Sequence, residues 1–203
     1  QGVSSAASDV YKRQLLVANP RSRPADLDTL DKVRQQFQGI PNLTLPGIKI
    51  FADGVIEYPA QSAAMLEPYS NSHKPGELLI DPAHFGELVS AIDQRGWLVH
   101  IHAIGDRAVR ESLNGIEQAR KDRQSGISHS ITHLQMVNPK EFARFKPLNV
   151  IASMQLLWAS ADDYTLDMIK PYVSALAFRY QYPAHSLLKH CLLYTSDAAD
   201  DTP

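Results

Sequence analysis

"LVHIHAIGDRA" (residues 98–108) decides the fold of this chain. It joins a buried apolar run, with histidines at alternate positions, to Gly-Asp-Arg and a charged segment. Residues 97–103 therefore read as a strand, and "DRAVRESLNGIEQARKD" (106–122) as a helix with Asp106 as its cap. The same alternation runs outward in both directions. "GIKIFADG" (47–54) is a short apolar run ended by Asp-Gly, hence a strand. "DPAHFGELVSAIDQRG" (81–96) has an acidic cap, Pro one residue in and Gly at its end, the marks of a helix. "DLDTLDKVRQQF" (26–37) spaces Leu27, Leu30, Val33 and Phe37 as an amphipathic helix capped by Asp26. "HSITHLQ" (129–135) and "NVIASMQ" (149–155) read as strands, and "NPKEFARFKPL" (138–148) as a helix capped by Asn138. Residues 161–190 read as mostly helical, interrupted at Pro171 and Pro183, with Asp162 and Asp163 capping. Residues 55–80 carry Pro59, Pro68, Pro75 and Gly76 and read as irregular. Buried strands alternating with helices predict an α/β fold on a parallel sheet.

The two ends read differently from the middle. Residues 9–14 can be written GAT-GTG-TAT-AAG-AGA-CAG, a transposon end used in DNA library preparation, and residues 191–200 read as its reverse complement running on into adapter. Residues 1–14 and 191–203 are therefore expected to be adapter-derived tails around a segment 15–190. The flanks hold Lys12, Arg13, Asp9, Asp197, Asp200 and Asp201, so the chain's 20 basic and 22 acidic residues leave 18 of each in that segment. The only cysteine, Cys191, falls in a flank, so no disulfide framework or thiolate chemistry is expected. No basic cluster suggests a nucleic-acid partner. No run of ~18 apolar residues suggests a membrane partner. No Gly-rich loop follows a strand, which argues against a dinucleotide fold.

Three strand ends each carry one conspicuous polar residue: Lys49, His102 and His133. Such groups inside buried strands are costly unless paired or bound to metal. In a parallel barrel, consecutive strands deliver their C-terminal ends to one mouth, so these three can converge. Neutral imidazole is a common zinc ligand. An ammonium is not, but a lysine that has taken up carbon dioxide becomes a carbamate with two oxygen donors, and burial favours the neutral amine this needs. His100 shares the face of His102 one layer deeper and reads as a packed, hydrogen-bonded histidine. His73, His84, His129, His185 and His190 read as solvated, and Met136, Met154 and Trp158 as packing.

"GIKIFADG", "VHIHAIGDRA", "ITHLQ" and "VIASMQ", in that order, resemble the metal-dependent amidohydrolase superfamily. The branch is amidohydrolase family 3, which includes N-substituted formamide deformylase-like proteins. The resemblance covers roughly residues 43–188 and implies a partial (β/α)8 TIM barrel, about strands four to seven. It implies metal ligands at Lys49, carbamylated and bridging two divalent metals, with zinc expected, and at His102 and His133 on the second metal. It implies hydrolysis of non-peptide C–N bonds in a small-molecule amide or cyclic amide. The family's His-x-His of strand one and aspartate of strand eight would lie outside this chain. "RYQYPAHSLLKH" (179–190) resembles the helix before that aspartate. The chain alone is accordingly expected to be inactive, and insoluble or molten.

Residues 55–80 would lie beside the mouth, making Glu57, Tyr58, Gln61 and Tyr69 candidates for substrate contact, with Arg107 facing an acidic partner or substrate. The strand-six motif of the branch commonly reads Glu-His-Ala-Gln; this chain has Thr132 and Leu134 around His133. After strand seven the branch often has Pro and His where Leu156 and Trp158 stand. These departures keep open a binding or regulatory barrel that has lost catalysis. A mononuclear, deaminase-like relative is the other alternative, against which Lys49 argues.

Overall fold

The structure is a computed structural model that describes residues 12–190 and the backbone of residues 193–195. Strands and helices follow one another as β1 (Lys12–Val17), α1 (Leu27–Gln36), β2 (Leu43–Phe51), α2 (Pro82–Gln94), β3 (Leu98–Ala103), α3 (Asp106–Asp122), β4 (His129–His133) and β5 (Val150–Met154). The short helices α4 (Asp163–Met168), α5 (Ala175–Arg179) and α6 (Ala184–Leu188) and the strand β6 (Leu193–Thr195) complete the order. The four strands expected from sequence are β2 to β5, and β1 and β6 extend the sheet on either side. Residues 12–14 and 193–195, inside the segments read as tails, belong to those two strands. The rest of both segments lies outside the described residues.

Among the described residues every strand pairing of the sheet is parallel, and the sheet order is the chain order, β1 to β6. A doubly wound sheet reverses its order at a switch point and carries helices on both faces. Here the order never reverses, and one face alone is covered by helices. Ile48, Ile50, Val99, Ile101, Ile131 and Ala152 point to that covered face and are fully buried. They pack with Leu88, Val89 and Ile92 of α2 and Val109, Leu113 and Ile116 of α3 in one core. Each of these valine, leucine and isoleucine side chains contributes ~1.5–3 kcal/mol relative to exposure. Lys49, Leu98, His100, Ser130 and Ile151 alternate with them and face the other side, each only partly buried. This is the architecture of a partial (β/α)8 barrel, with the second face as its interior.

Local chemistry accounts for the boundaries. Asp81 accepts from Ala83 N at the start of α2, Pro82 stands in its first turn, and Gly96, at φ +73°, lies just past its end. Asp162 accepts from Thr165 N and caps α4. Asn138 caps as expected, accepting from Lys140 N, but residues 139–144 wind into a 3-10 segment rather than an α-helix. Two expected caps bond differently. Asp26 stands at the N-cap position of α1, but its carboxylate accepts from Arg23 N in the 3-10 turn ahead of the helix. Asp106 is the first residue of α3 after Gly105, and its carboxylate accepts from Leu66 N at 2.8 Å. It ties the irregular segment to the start of the helix.

At the N-terminal end of the strands His129 is fully buried, not solvated. Its Nδ1 accepts from Val99 N at 3.1 Å, so Nε2 carries the proton and faces Asp93 Oδ1 at 3.2 Å. Asp93 also receives Arg120 at 3.1 Å and the hydroxyl of Ser125, and Arg120 donates to Leu148 O and Ile127 O. One buried carboxylate thus joins α2, α3 and the entry to β4. Among the described residues no helix is long and apolar enough to cross a membrane.

Candidate functional site

The site forms at the opposite end, where the strands release their chains into the longest connections. Lys49 and His100 are direct neighbours across β2 and β3. The Lys49 ammonium lies 5.2 Å from the centre of the Phe51 ring. That ring lies 5.1 Å from His102, and His102 lies 4.6 Å from His133, edge to face. The three residues picked from sequence therefore gather at one end of the interior face. Lys49 has no carboxylate partner among the described residues. Burial alone brings its ammonium down to about 8, so about a tenth of the amine is neutral at pH 7.

Both histidines are held neutral. Burial lowers His102, and the nearby Lys49 charge lowers it further. Burial takes His133 down to about 3, with His102 and Lys49 adding to the effect. His102 Nε2 lies 3.0 Å from Gly54 O, and a carbonyl only accepts. Nε2 is thus the protonated nitrogen, and the Nδ1 lone pair is left for another partner. His100 Nδ1 meets Ser130 Oγ at 2.6 Å, one layer deeper, as expected of a packed histidine.

His133, the last residue of β4, reaches the site through a turn of its backbone. Strict alternation would put it with His129 and Ile131, on the helix-facing side. At φ +72°, followed by Leu134 at φ +53°, the backbone turns left-handed, and the ring stands beside His102. Two successive non-Gly residues in that region store strain, which folds tend to keep at functional sites. Behind them Gln155 Nε2 donates to the buried Thr132 hydroxyl at 3.2 Å.

Asp53 was not singled out in the sequence, where Asp-Gly reads as the end of a strand. Its side chain is fully buried. Oδ1 accepts from Ile104 N at 3.0 Å, and Oδ2 from Gly105 N at 2.8 Å and Ala64 N at 3.0 Å. His102 Nε2 lies 3.5 Å from Oδ1. Burial pushes the carboxyl up to about 7, against three N–H donors that favour the carboxylate.

The candidate substrate residues divide. Tyr58 is 43% exposed and stacks on Tyr172 at 5.0 Å. Glu57 is half-buried, and its negative charge raises the phenols of Tyr69, Tyr164 and Tyr182 after burial has done so. Gln61 stands at φ +40° with its buried Nε2 unpartnered. Tyr69 is buried, and its hydroxyl donates to Ala63 O at 3.0 Å, so it packs beneath the segment rather than at its surface. The Arg107 guanidinium, half-buried, has no hydrogen bond or ion pair among the described residues. Tyr58 N donates to Met168 O and Ser70 Oγ to Pro171 O, which seats residues 55–80 against the segment after β5. Ile56, Met65, Tyr69, Ile104, Met136 and Ile169 form a second small core there.

Among the described residues no three His, Cys, Asp or Glu side chains lie together as a metal site. The set that does gather is two imidazoles and one amine. It suits a divalent ion of the zinc type: two neutral rings, a free Nδ1 lone pair, and a lysine that burial brings toward its neutral, donor-competent form.

A sequence model of the amidohydrolase family matches residues 9–199. The chain is 28% identical over 173 residues to the exoenzymes regulatory protein AepA of Pectobacterium carotovorum subsp. carotovorum, covering 85% of this chain and 36% of that protein. It is 31% identical over 154 residues to protein LONG AFTER FAR-RED 3 of Arabidopsis thaliana, covering 72% of this chain and 25% of that one. It superposes on the crystal structure of an uncharacterized metal-dependent hydrolase from Pyrococcus furiosus with a TM-score of 0.70 and 26% identity, over 90% of this chain and 37% of the other. The chain thus spans between a quarter and somewhat more than a third of these proteins.

Proposed function

The chain belongs to the amidohydrolase family, and from that premise we propose that the protein is a metal-dependent hydrolase of C–N bonds other than peptide bonds. The substrate is a small amide or cyclic amide, with N-substituted formamides as the simplest members of the class. The observation that carries this reading is the meeting of Lys49, His102 and His133 at one end of the barrel interior.

Each residue has a role in the reading. The neutral Lys49 amine adds through its lone pair to carbon dioxide and releases a proton to solvent, leaving a carbamate with two oxygen donors. His102 presents Nδ1 because Gly54 O holds Nε2. His133 presents a neutral ring from its turned strand end. Two divalent metals, with zinc favoured by these donors, would lower the pKa of water toward about 7 and polarise the amide carbonyl. Tyr58, Glu57 and Gln61 stand on the segment beside the site and meet the substrate's remote groups. Arg107 supplies an unpaired cation for a developing or resident negative charge.

A second reading takes its support from the name of AepA, a regulatory protein. In that case the same barrel binds a ligand without turning it over. Among the described residues β1 and β6 have one strand neighbour each, and we expect this segment by itself to be inactive.

The test is metal content and turnover in the full protein. Purified protein should carry zinc, lose hydrolysis of an N-formyl or N-acetyl amine panel on chelation, and regain it with added zinc. K49A and H133A should abolish both. Protein that binds zinc at these residues but turns over no amide favours the regulatory reading. Protein that binds no divalent metal overturns the proposal.

A further inference from the structure

Asp53 has more partners than a strand-ending aspartate needs. Its carboxylate collects backbone N–H groups from two separate segments: Ala64 in the irregular stretch, and Ile104 and Gly105 at the entry to α3. The next residue, Gly54, presents its carbonyl to His102 Nε2. Gly54 is pinned from its far side as well, since Gly54 N donates to Ser62 O and Val55 N to Ser62 Oγ. Ala64 O closes the circle by accepting from Arg107 N and Ala108 N. A side chain on Gly54 would collide with Ser62, and one on Gly105 with Ala64 O.

We propose that Asp53 is the positioning residue of the site: by fixing Gly54 and the two loops around it, it sets the ring orientation and tautomer of His102, so that Nδ1 faces the metal. This rests on the metal-site reading given above. These partners select the ionised carboxyl, and an amide cannot stand in for it. All three backbone groups that face its oxygens are donors, and a fourth donor, His102 Nε2, lies 3.5 Å away. A carboxylate offers acceptors only, whereas an asparagine must turn its NH2 toward at least one of those donors. Outer partners of this kind typically change metal affinity 10- to 100-fold.

The experiment is long-range 1H–15N correlation of the histidine rings in the 15N-labelled full protein without metal, paired with zinc titration. In the wild type, the His102 ring should appear as a single Nε2–H tautomer with a slowly exchanging ring proton. In D53N the two ring nitrogens should average and the proton exchange faster, with zinc affinity reduced about 10- to 100-fold. D93N, which removes a buried carboxylate at the other end of the strands, should leave the His102 signals unchanged. G54A, which keeps Asp53 but displaces the carbonyl, should reproduce the D53N spectrum. A wild-type ring in the Nδ1–H form overturns the proposal, whatever the variants do. So does D53N or G54A with an unaltered tautomer, or D93N with the same change. If the wild type takes up no zinc while D53N still loses the tautomer, the metal reading falls and the positioning role stands.

Discussion

The rings of His102 and His133 stand 4.6 Å apart, edge to face, although 31 positions of sequence separate them. Neither ring is protonated near neutral pH, because burial lowers both. His100 lies on the same face but spends its Nδ1 on Ser130 Oγ. The three histidines should therefore behave differently toward metal. H102A and H133A are each expected to weaken zinc binding at least about 100-fold, while H100A weakens it by no more than about 10-fold, the size of an outer-partner effect. Calorimetric titration of the full protein measures all three. Equal losses in the three variants would mean that His100 belongs to the ligand set.

His129 makes stability depend on acidity. Burial, with the charge of Arg120 adding to it, brings its imidazolium down to about 4 from an ordinary 6.5. Between those values the unfolded chain binds a proton that the folded chain refuses, so stability falls as pH falls from about 6.5 toward 4. Going from pH 7.5 to 5.0, this one group should remove about 2 kcal/mol. Asp53, raised to about 7, acts in the opposite sense, weakening the fold as pH rises from about 4 to 7. The two are separated by comparison with H129Q. Urea unfolding should show the wild-type advantage over H129Q shrinking by about 2 kcal/mol on acidification; a constant difference would place the His129 proton elsewhere.

Periodicity made the frame of the molecule legible. α3 runs over the residues its pattern marked, and β2 to β5 fall on the four apolar runs, because strands of a parallel sheet packed under helices draw such runs. Lys49 and His102 were legible because a titratable side chain at the end of a buried strand needs a reason. His133 was chosen on the same ground, but its path to the site was not legible: it depends on a left-handed turn that no local signal announced. Asp53 and His129 were missed because what makes them special is far away in sequence. The partners of Asp53 sit at residues 64, 104 and 105, and those of His129 at 93 and 99. Asp-Gly looks like a turn and a histidine at a strand start looks solvated until the loops close over them.

The Asp93–Arg120 pair at the N-terminal end of the strands is buried on both sides. Taking away one charge strands the other, which typically costs about 3–5 kcal/mol. R120M is expected to lose that much, since Asp93 then keeps only Ser125 and His129 as neighbours. D93N/R120M should be more stable than R120M alone, because no charge is left uncompensated. Chemical denaturation of the single and double variants provides the cycle. A double variant as unstable as the sum of the singles would show that the two side chains contribute independently.

Gly105 offers the sharpest steric prediction near the site. It precedes α3 with φ −79° and ψ 151°, angles open to any residue, so an alanine meets no backbone penalty there. The obstacle is space: a Cβ would collide with Ala64 O, the carbonyl that accepts from Arg107 N and Ala108 N. Trimming Ala64 gives no relief, because the colliding atom belongs to its backbone. G105A must therefore push residue 64 away and break its bonds to Asp53 and α3 together, at a cost of at least about 2 kcal/mol. Hydrogen exchange should quicken at Ala64, Leu66, Ile104 and Arg107 while the amides of β4 and β5 keep their protection. Unchanged protection at Ala64 in a stable G105A protein would mean that this segment does not pack against the start of α3.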